Sequence, residues 1–249
     1  MTMDAETLTI EPARRIDDDV EFYDVPVELA VLDLTGTTVR DAGLAEAAFT
    51  RAAEHVGLVQ SEDSLTSMLT YLRDATGRST IDVFRSLTAD EATAQSATAA
   101  FDAEYLENIG SLEAVDGAEH TLHLLRDAEV SIAFITGLPR DTVNAIVAHL
   151  GWQESIDVAL CAADAGRGIP FPDLPLTALM RTGAQSVDSM VVVGDTVNHV
   201  RSGLAAGAGL VVGVLTGAHS AEQLHQAGAD DVLGSIAMLP AMLGVSSDV

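Results

Sequence analysis

Four apolar stretches of this chain each run into a residue that can hold a cation or an anion. VPVELAVL leads to Asp33 and the turn Leu34-Thr35-Gly36-Thr37-Thr38, and VSIAFI leads to Thr136-Gly137. DVALCA leads to Asp164, and SMVVVG leads to Asp195. Carboxylates from separate parts of a chain can share one divalent cation, which prefers oxygen ligands. A threonine hydroxyl beside a glycine can hydrogen-bond a ligand, because glycine lets the main chain come close. Chance accounts for one or two such endings. Four of them point to an active site.

These residues must be carried by elements of known type. VPVELAVLDL (25–34) is a Val/Leu-rich run with nearly continuous apolarity, which suits a strand buried on both faces of a parallel sheet. From about residue 41 to 112 the pattern is helical: AGLAEAAFTRAAEHVGL stops at Gly57, and SLTSMLTYLRDATG, STIDVFRSL and ADEATAQSATAAFDAEYLENI follow without a strand. After Gly117 helices and strands alternate to the end, which implies a parallel sheet covered by helices. Ligands in such sheets bind beyond the carboxyl ends of the strands, where the four polar endings fall. The expected architecture is α/β: a Rossmann-like parallel-sheet core from 25–40 and 113–249, an inserted α-helical cap from 41–112, and an acidic, loosely ordered tail at 1–24.

Composition narrows the function. The chain has 249 residues, 48% hydrophobic and only 4% aromatic, with a formal net charge of -26. Nucleic-acid binding needs clustered positive charge and is excluded. No run approaches the roughly 18 apolar residues of a membrane span, and the polar N-terminus lacks a signal-peptide core, so a cytoplasmic protein is expected. All 12 basic side chains are arginines, because the chain contains no lysine. The single cysteine, Cys161, sits in an apolar run and reads as a buried structural thiol. His120 and His123 are three apart on one helix, and without an acidic or cysteine partner they read as a solvated pair. Trp152, after Gly151, should pack at a helix end.

The sequence Asp33-Leu34-Thr35-Gly36-Thr37-Thr38, Ile135-Thr136-Gly137, Gly166 to Asp173, and Gly194-Asp195-Thr196-Val197-Asn198-His199 resembles, in order and spacing, the four motifs of the haloacid dehalogenase superfamily. Within it the chain is most similar to phosphonoacetaldehyde hydrolase and its relatives, through Gly77-Arg78-Ser79-Thr80-Ile81-Asp82 and the segment GVLTGAHSAEQLHQAGADDVL. The resemblance implies Asp33 as a nucleophile that forms an aspartyl-phosphate. It implies Mg²⁺ (or Mn²⁺) held by Asp33, the Thr35 carbonyl and Asp195, because a carboxylate cannot approach a phosphoryl dianion without a cation. Catalytic roles would fall to Asp33, Thr35, Thr136 and Arg167. Substrate contacts would fall to Gly36, Gly137, Arg140 and Thr80, and the ligand would be a small phosphorylated molecule. Related capped proteins can dimerise, so a homodimer is open.

The sequence departs from the family at four places. Thr35 stands where a general acid is usual, which removes an acid/base worth roughly 10²–10⁴-fold. Thr80 stands where phosphonatases carry a Schiff-base lysine. Ile169 stands where a cation stabilises the nucleophile, and Arg167 either reaches in from two residues away or is a solvated loop residue. Arg140 is likewise a phosphate contact or a helix-start surface residue. His199 stands in place of a second acid, as a core hydrogen-bonding residue or a ligand for a softer ion. Two functions compete: a Mg²⁺-dependent phosphoryl hydrolase, and a degenerate member that binds a phosphorylated metabolite or a protein partner. A 2-haloacid dehalogenase is weaker, since it would leave Asp195 unexplained.

Overall fold

The computed structural model describes residues 27–245. The expected tail at 1–24, and the first two residues of the expected strand, lie outside them. Strand β1 is Leu29–Asp33, and β2 is Val39–Arg40. Four helices follow: α1 Leu44–His55, α2 Glu62–Asp74, α3 Thr80–Leu87 and α4 Glu91–Glu107. Then come β3 Glu113–Ala114, α5 Ala118–Asp127, β4 Ser131–Ile135, α6 Arg140–His149 and β5 Val158–Leu160. The rest is α7 Ala162–Ala165, α8 Asp173–Thr182, β6 Met190–Gly194, α9 Val197–Ala206, β7 Leu210–Val214, α10 Ala221–Ala227, β8 Asp231–Leu233 and α11 Leu239–Met242.

Six strands form one parallel sheet in the order β5-β4-β1-β6-β7-β8. Every residue of β1 is buried, as are all of β6 and β7, which is why these strands read as unbroken apolar runs rather than alternating ones. The chain lays β4 and β5 on one side of β1 and then crosses to β6 on the other. The order therefore reverses at β1, and a crevice opens beyond the carboxyl ends of β4, β1 and β6. Asp33 is the last residue of β1, level with Ile135 of β4; Leu32 is level with Val193 of β6. Thr136 and Asp195 each lie one step further along, so all three residues emerge at the same edge.

A two-stranded antiparallel ribbon, unsuspected from the sequence, pairs Val39 with Ala114 and Arg40 with Glu113. It clips together the two ends of the helical insertion formed by α1–α4. Two residues per strand carry no periodic signal, which explains why it was illegible. Inside the cap, Phe49 and Phe84 stack with ring centroids 5.2 Å apart. Asp41 accepts the Ala45 N–H at the start of α1 and also the Tyr105 hydroxyl of α4 at 2.7 Å. Ser61 and Asp90 cap α2 and α4 through side-chain acceptors, as their residue types predict. Cys161 and Trp152 are both buried, Trp152 against Phe134.

The cap meets the core along the segment before α3. Thr80 donates its N–H to the Gly137 carbonyl at 2.9 Å and its hydroxyl to the same oxygen at 3.2 Å. Asn198 of α9 donates to the Thr76 carbonyl at 2.8 Å. Gly137 is so close to the Arg78 carbonyl that a β-carbon at position 137 would collide with it. Gly137→Ala should therefore cost about 1–3 kcal/mol through forced overpacking. The expected outcome is a fall of several degrees in Tm by differential scanning calorimetry. An unchanged Tm would show that cap and core are not held at this distance.

Candidate active site

A cleft of about 250 Å³ lies between the sheet edge and the cap, and its walls include Asp33, Thr35, Thr136, Gly137, Asp195 and His199 from the core. The cap contributes Glu46, Arg73, Gly77, Arg78 and Thr80. Asp33, Asp195 and His199 are all buried and each offers a ligand atom within 4.8 Å of the others. Ligands at roughly 2.1 Å from one cation lie at most about 4.2 Å apart, so atoms already this close need shift by little more than half an ångström to share one.

The Asp195 carboxylate is wedged between two glycines. A β-carbon on Gly36 would come within 2.5 Å of Asp195 Oδ2, and one on Gly217 would overlap it. Asp195 Oδ2 accepts the Ala218 N–H at 2.7 Å, while Oδ1 is buried without a partner among the described residues. An orphaned, buried carboxylate oxygen beside a second carboxylate is a donor set that fits a cation. Two carboxylates suit Mg²⁺, and an imidazole nitrogen extends the fit to Mn²⁺. Burial, followed by the neighbouring charge of Asp33, pushes the Asp195 carboxyl up to about 7.

His199 occupies the fourth face of this arrangement. Its Nε2 lies 3.0 Å from Asp33 Oδ1, while the angles are those of an ion contact rather than an aligned hydrogen bond. Its Nδ1 is 2.7 Å from the Thr196 hydroxyl, which also accepts the His199 N–H and caps α9. Burial opposes a charged imidazole, yet the two carboxylates outweigh it and the His199 pKa is raised. His199 is therefore both the hydrogen-bonded core residue expected and a direct neighbour of Asp33.

The other expected residues divide. Thr136 is placed to act on an anion: its hydroxyl oxygen accepts the Leu138 N–H at 3.2 Å, which leaves the hydroxyl hydrogen free to donate. Thr35 and Thr80 line the cleft. Gly36 does not, and its N–H is already given to the Val39 carbonyl at 2.8 Å. Its role is to make room for Asp195, a correction to the substrate contact expected of it. Arg140 lies outside the cleft walls because it is held by Asp164 and by the Ala159 carbonyl at 2.8 Å. Asp164 is drawn away with it, in α7 beyond the end of β5, where it also caps Cys161 N–H. Arg167 is exposed, paired with Asp173 at 2.7 Å and laid over the Phe171 ring at 4.4 Å. The catalytic expectation for Arg167 therefore gives way to its loop reading. Ile169 is buried in the apolar layer behind the sheet. His120 and His123 are exposed and join no ligand cluster among the described residues.

The model of the haloacid dehalogenase-like hydrolase family matches residues 27–207. The chain belongs to that family. It is 29% identical over 209 residues to validoxylamine A 7'-phosphate phosphatase of Streptomyces hygroscopicus subsp. limoneus, covering 80% of this chain and 91% of the relative. It is 28% identical over 153 residues to phosphonoacetaldehyde hydrolase of Hahella chejuensis, covering 51% of each. The crystal structure of a phosphonoacetaldehyde hydrolase-like protein from Oleispira antarctica is similar with a TM-score of 0.76 at 20% identity, covering 92% of this chain and 95% of that one. As a haloacid dehalogenase-like hydrolase, the protein has the family's sheet, its switch point and a helical cap.

Sequence reasoning missed the loop after β7. Thr216 donates to the Gly36 carbonyl at 2.7 Å, Gly217 backs Asp195, and Ala218 N–H holds it. The signal was present in Leu215-Thr216-Gly217, a polar-glycine ending on a fifth strand.

A prediction follows from the raised Asp195 pKa. The folded chain holds this proton more tightly than the unfolded one, whose carboxyl keeps its ordinary value of 3.8. The contribution is therefore present below about pH 4 and is lost as pH rises to about 7. In chelator, wild-type Tm should fall more between pH 5 and pH 8 than that of Asp195→Asn. Mg²⁺ or Mn²⁺ should restore the wild type and not the variant. Parallel pH profiles would contradict the assignment of a buried, uncompensated carboxylate.

Proposed function

We propose that this hydrolase removes a phosphoryl group from a small phosphorylated metabolite, in the cytoplasm, by way of an aspartyl-phosphate on Asp33. The observation that carries the reading is the convergence, beneath a cap, of Asp33 and of Asp195, whose buried Oδ1 has no partner among the described residues. Asp33, Asp195, the Thr35 carbonyl and His199 would hold Mg²⁺ or Mn²⁺. The ion, when bound, cancels the repulsion between the carboxylates and the phosphoryl group. Asp33 attacks phosphorus, the P–O bond to the leaving group breaks, and that oxygen takes its proton from solvent. Thr136 donates its hydroxyl to a phosphoryl oxygen, with Gly137 on the same loop. Water then cleaves the acyl-phosphate and regenerates Asp33. The similarity to validoxylamine A 7'-phosphate phosphatase over most of both chains favours a phosphate ester as substrate.

Thr35 cannot relay protons as a carboxylate would, so turnover should be slow. Phosphonoacetaldehyde should be inert. Thr80 has no amine, the chain has no lysine to form an imine, and a C–P bond then has no electron sink. A panel of phosphate esters and phosphonates with Mg²⁺ or Mn²⁺ checks this: ester hydrolysis should appear and fall at least about 10³-fold in Asp33→Asn. Acetaldehyde release from phosphonoacetaldehyde would refute the argument from lysine.

The reading of a binder with little turnover is favoured by one observation, the His199 contact on Asp33, which occupies one nucleophile oxygen. Thr35→Asp separates the two. An enzyme limited by proton transfer gains up to about 10² in kcat on an aryl phosphate, because an acid/base now sits beside the nucleophile. A binder instead loses anion and metal affinity, since a third negative charge joins Asp33 and Asp195. Activity appearing only when Ile169→Lys is added would favour the binder.

A further inference from the structure

The cleft needs a cation to admit a phosphoryl dianion, and the arginines expected to supply one are spent elsewhere. Arg140 is bound to Asp164, and Arg167 to Asp173. Arg73 lines the cleft but holds Glu46 through both carboxylate oxygens at 2.8 and 3.0 Å. Arg78 is different. It lines the cleft beside Asp33, Thr136 and Asp195, and among the described residues it forms no ion pair. Its Nη1 donates to the Tyr71 hydroxyl at 2.9 Å, a neutral acceptor, while Asp74 and Asp82 share a cavity wall with Arg78 without forming an ion pair to it. Arg78 also borders a second cavity, whose walls include Tyr71, Asp74, Asp82, Ile169 and Asn198. It thus borders both the cleft of Asp33 and Asp195 and the region of Ile169, which carries no charge.

The backbone that carries Arg78 is pinned on both sides. Gly77 has φ of +89° and lies against the Thr196 hydroxyl and His199, so a β-carbon there would meet Thr196 Oγ1 at 2.7 Å. The Arg78 carbonyl abuts Gly137, its N–H donates to Ala75 at 3.0 Å, and Thr80 is bonded to Gly137. The side chain therefore starts from a point fixed relative to the loops that carry Thr136 and Asp195. A planar guanidinium with donors still free is suited to paired oxygens of a phosphoryl group.

We propose that Arg78, from the cap, is the residue that binds the phosphoryl oxygens of the substrate and supplies the positive charge that Ile169 does not. The proposal deepens the phosphohydrolase reading and rests on it. The alternative is that Arg78 is only a strut between cap helix α2 and the core, held by Tyr71. The two differ at Tyr71→Phe, which removes the strut and leaves the charge.

The test uses the full-length protein with Mg²⁺ and two readouts: steady-state hydrolysis of an aryl phosphate, and calorimetric binding of inorganic phosphate. A charge-assisted hydrogen bond to an anion is worth enough that Arg78→Ala should weaken phosphate binding and kcat/KM by about 10- to 100-fold. Arg78→Lys should recover part of the loss. Tyr71→Phe should stay within about 3-fold. Tm measured on each variant keeps a folding defect from being read as lost affinity, and if Arg78→Ala does not fold, Arg78→Gln carries the same expectation. Phosphate affinity in Arg78→Ala equal to wild type overturns the proposal, as does a loss in Tyr71→Phe as large as that in Arg78→Ala. Where the wild type hydrolyses nothing but binds phosphate, the binding arm still decides for or against Arg78, while the hydrolase reading alone fails. Where Asp33→Asn is inactive and Arg78→Ala is as active as wild type, the hydrolase reading stands and the proposal fails.

Discussion

Two carboxylates that water would keep apart are brought together at the ends of β1 and β6, and the surroundings of both follow from that. With oxygens within 4.8 Å, Asp33 and Asp195 repel by at least about 3 kcal/mol even at an effective dielectric of 20. Neither is exposed enough for solvent to screen the repulsion. The protein answers it locally. Asp195 gives one oxygen to Ala218 N–H, Asp33 faces His199, and the Asp195 carboxyl is shifted toward its neutral form. One oxygen is still left without a partner. A fold of marginal stability does not retain such a group unless something is gained from it, and a cation is the ligand that this donor set would reward.

The glycines around the pair belong to the same constraint. Gly36 and Gly217 leave the space that the Asp195 carboxylate fills, and Gly77 and Gly137 let the cap descend onto the loops after β4 and β6. Each of these contacts would be closed by a single β-carbon. The cap is therefore seated on the catalytic loops themselves, through Thr80 on Gly137 and Asn198 on Thr76. The cap contacts and the setting of the carboxylate pair share the same few backbone atoms. A change in the cap segment from Thr76 to Thr80 would be felt at Asp33 without touching it.

Much of this was legible in the sequence because it is written in local patterns. A buried parallel strand is a continuous apolar run, so β1, β4, β6 and β7 announce themselves, and the polar residue that ends each of the first three is visible at once. The insertion was legible because helical spacing persists from α1 to α4 without a strand. What stayed hidden was pairing. Nothing near Arg140 or Arg167 in the chain says that Asp164 and Asp173 will neutralise them, since that depends on how α6, α7 and α8 pack. Arg78 sat in a motif noticed for its neighbours, and its lack of an acidic partner is a property of three dimensions. The ribbon of β2 and β3 was too short to show a period, and the role of Gly217 depends on β7 lying beside β6.

The charge arithmetic of the cleft gives the departures from the family a common sense. Thr35 removes a negative charge next to Asp33, and His199 replaces another with a group that can be positive. Ile169 removes a positive charge from the opposite side. Taken singly, each looks like decay. Together they leave the reacting carboxylates with fewer acids to repel them and with less fixed cation to attract an anion. In a chain of net charge -26, a phosphoryl group must still be drawn in against a long-range repulsive field. On the reading proposed above, that attraction comes from an ion between Asp33 and Asp195 and from Arg78 of the cap. The uncharged Ile169 is then tolerable, because the segment that carries Arg78 is fixed to the core. A cation on a loosely hinged cap would be screened by water, whereas one whose backbone is pinned through Gly77 and Gly137 starts from a fixed point relative to the loops of Thr136 and Asp195.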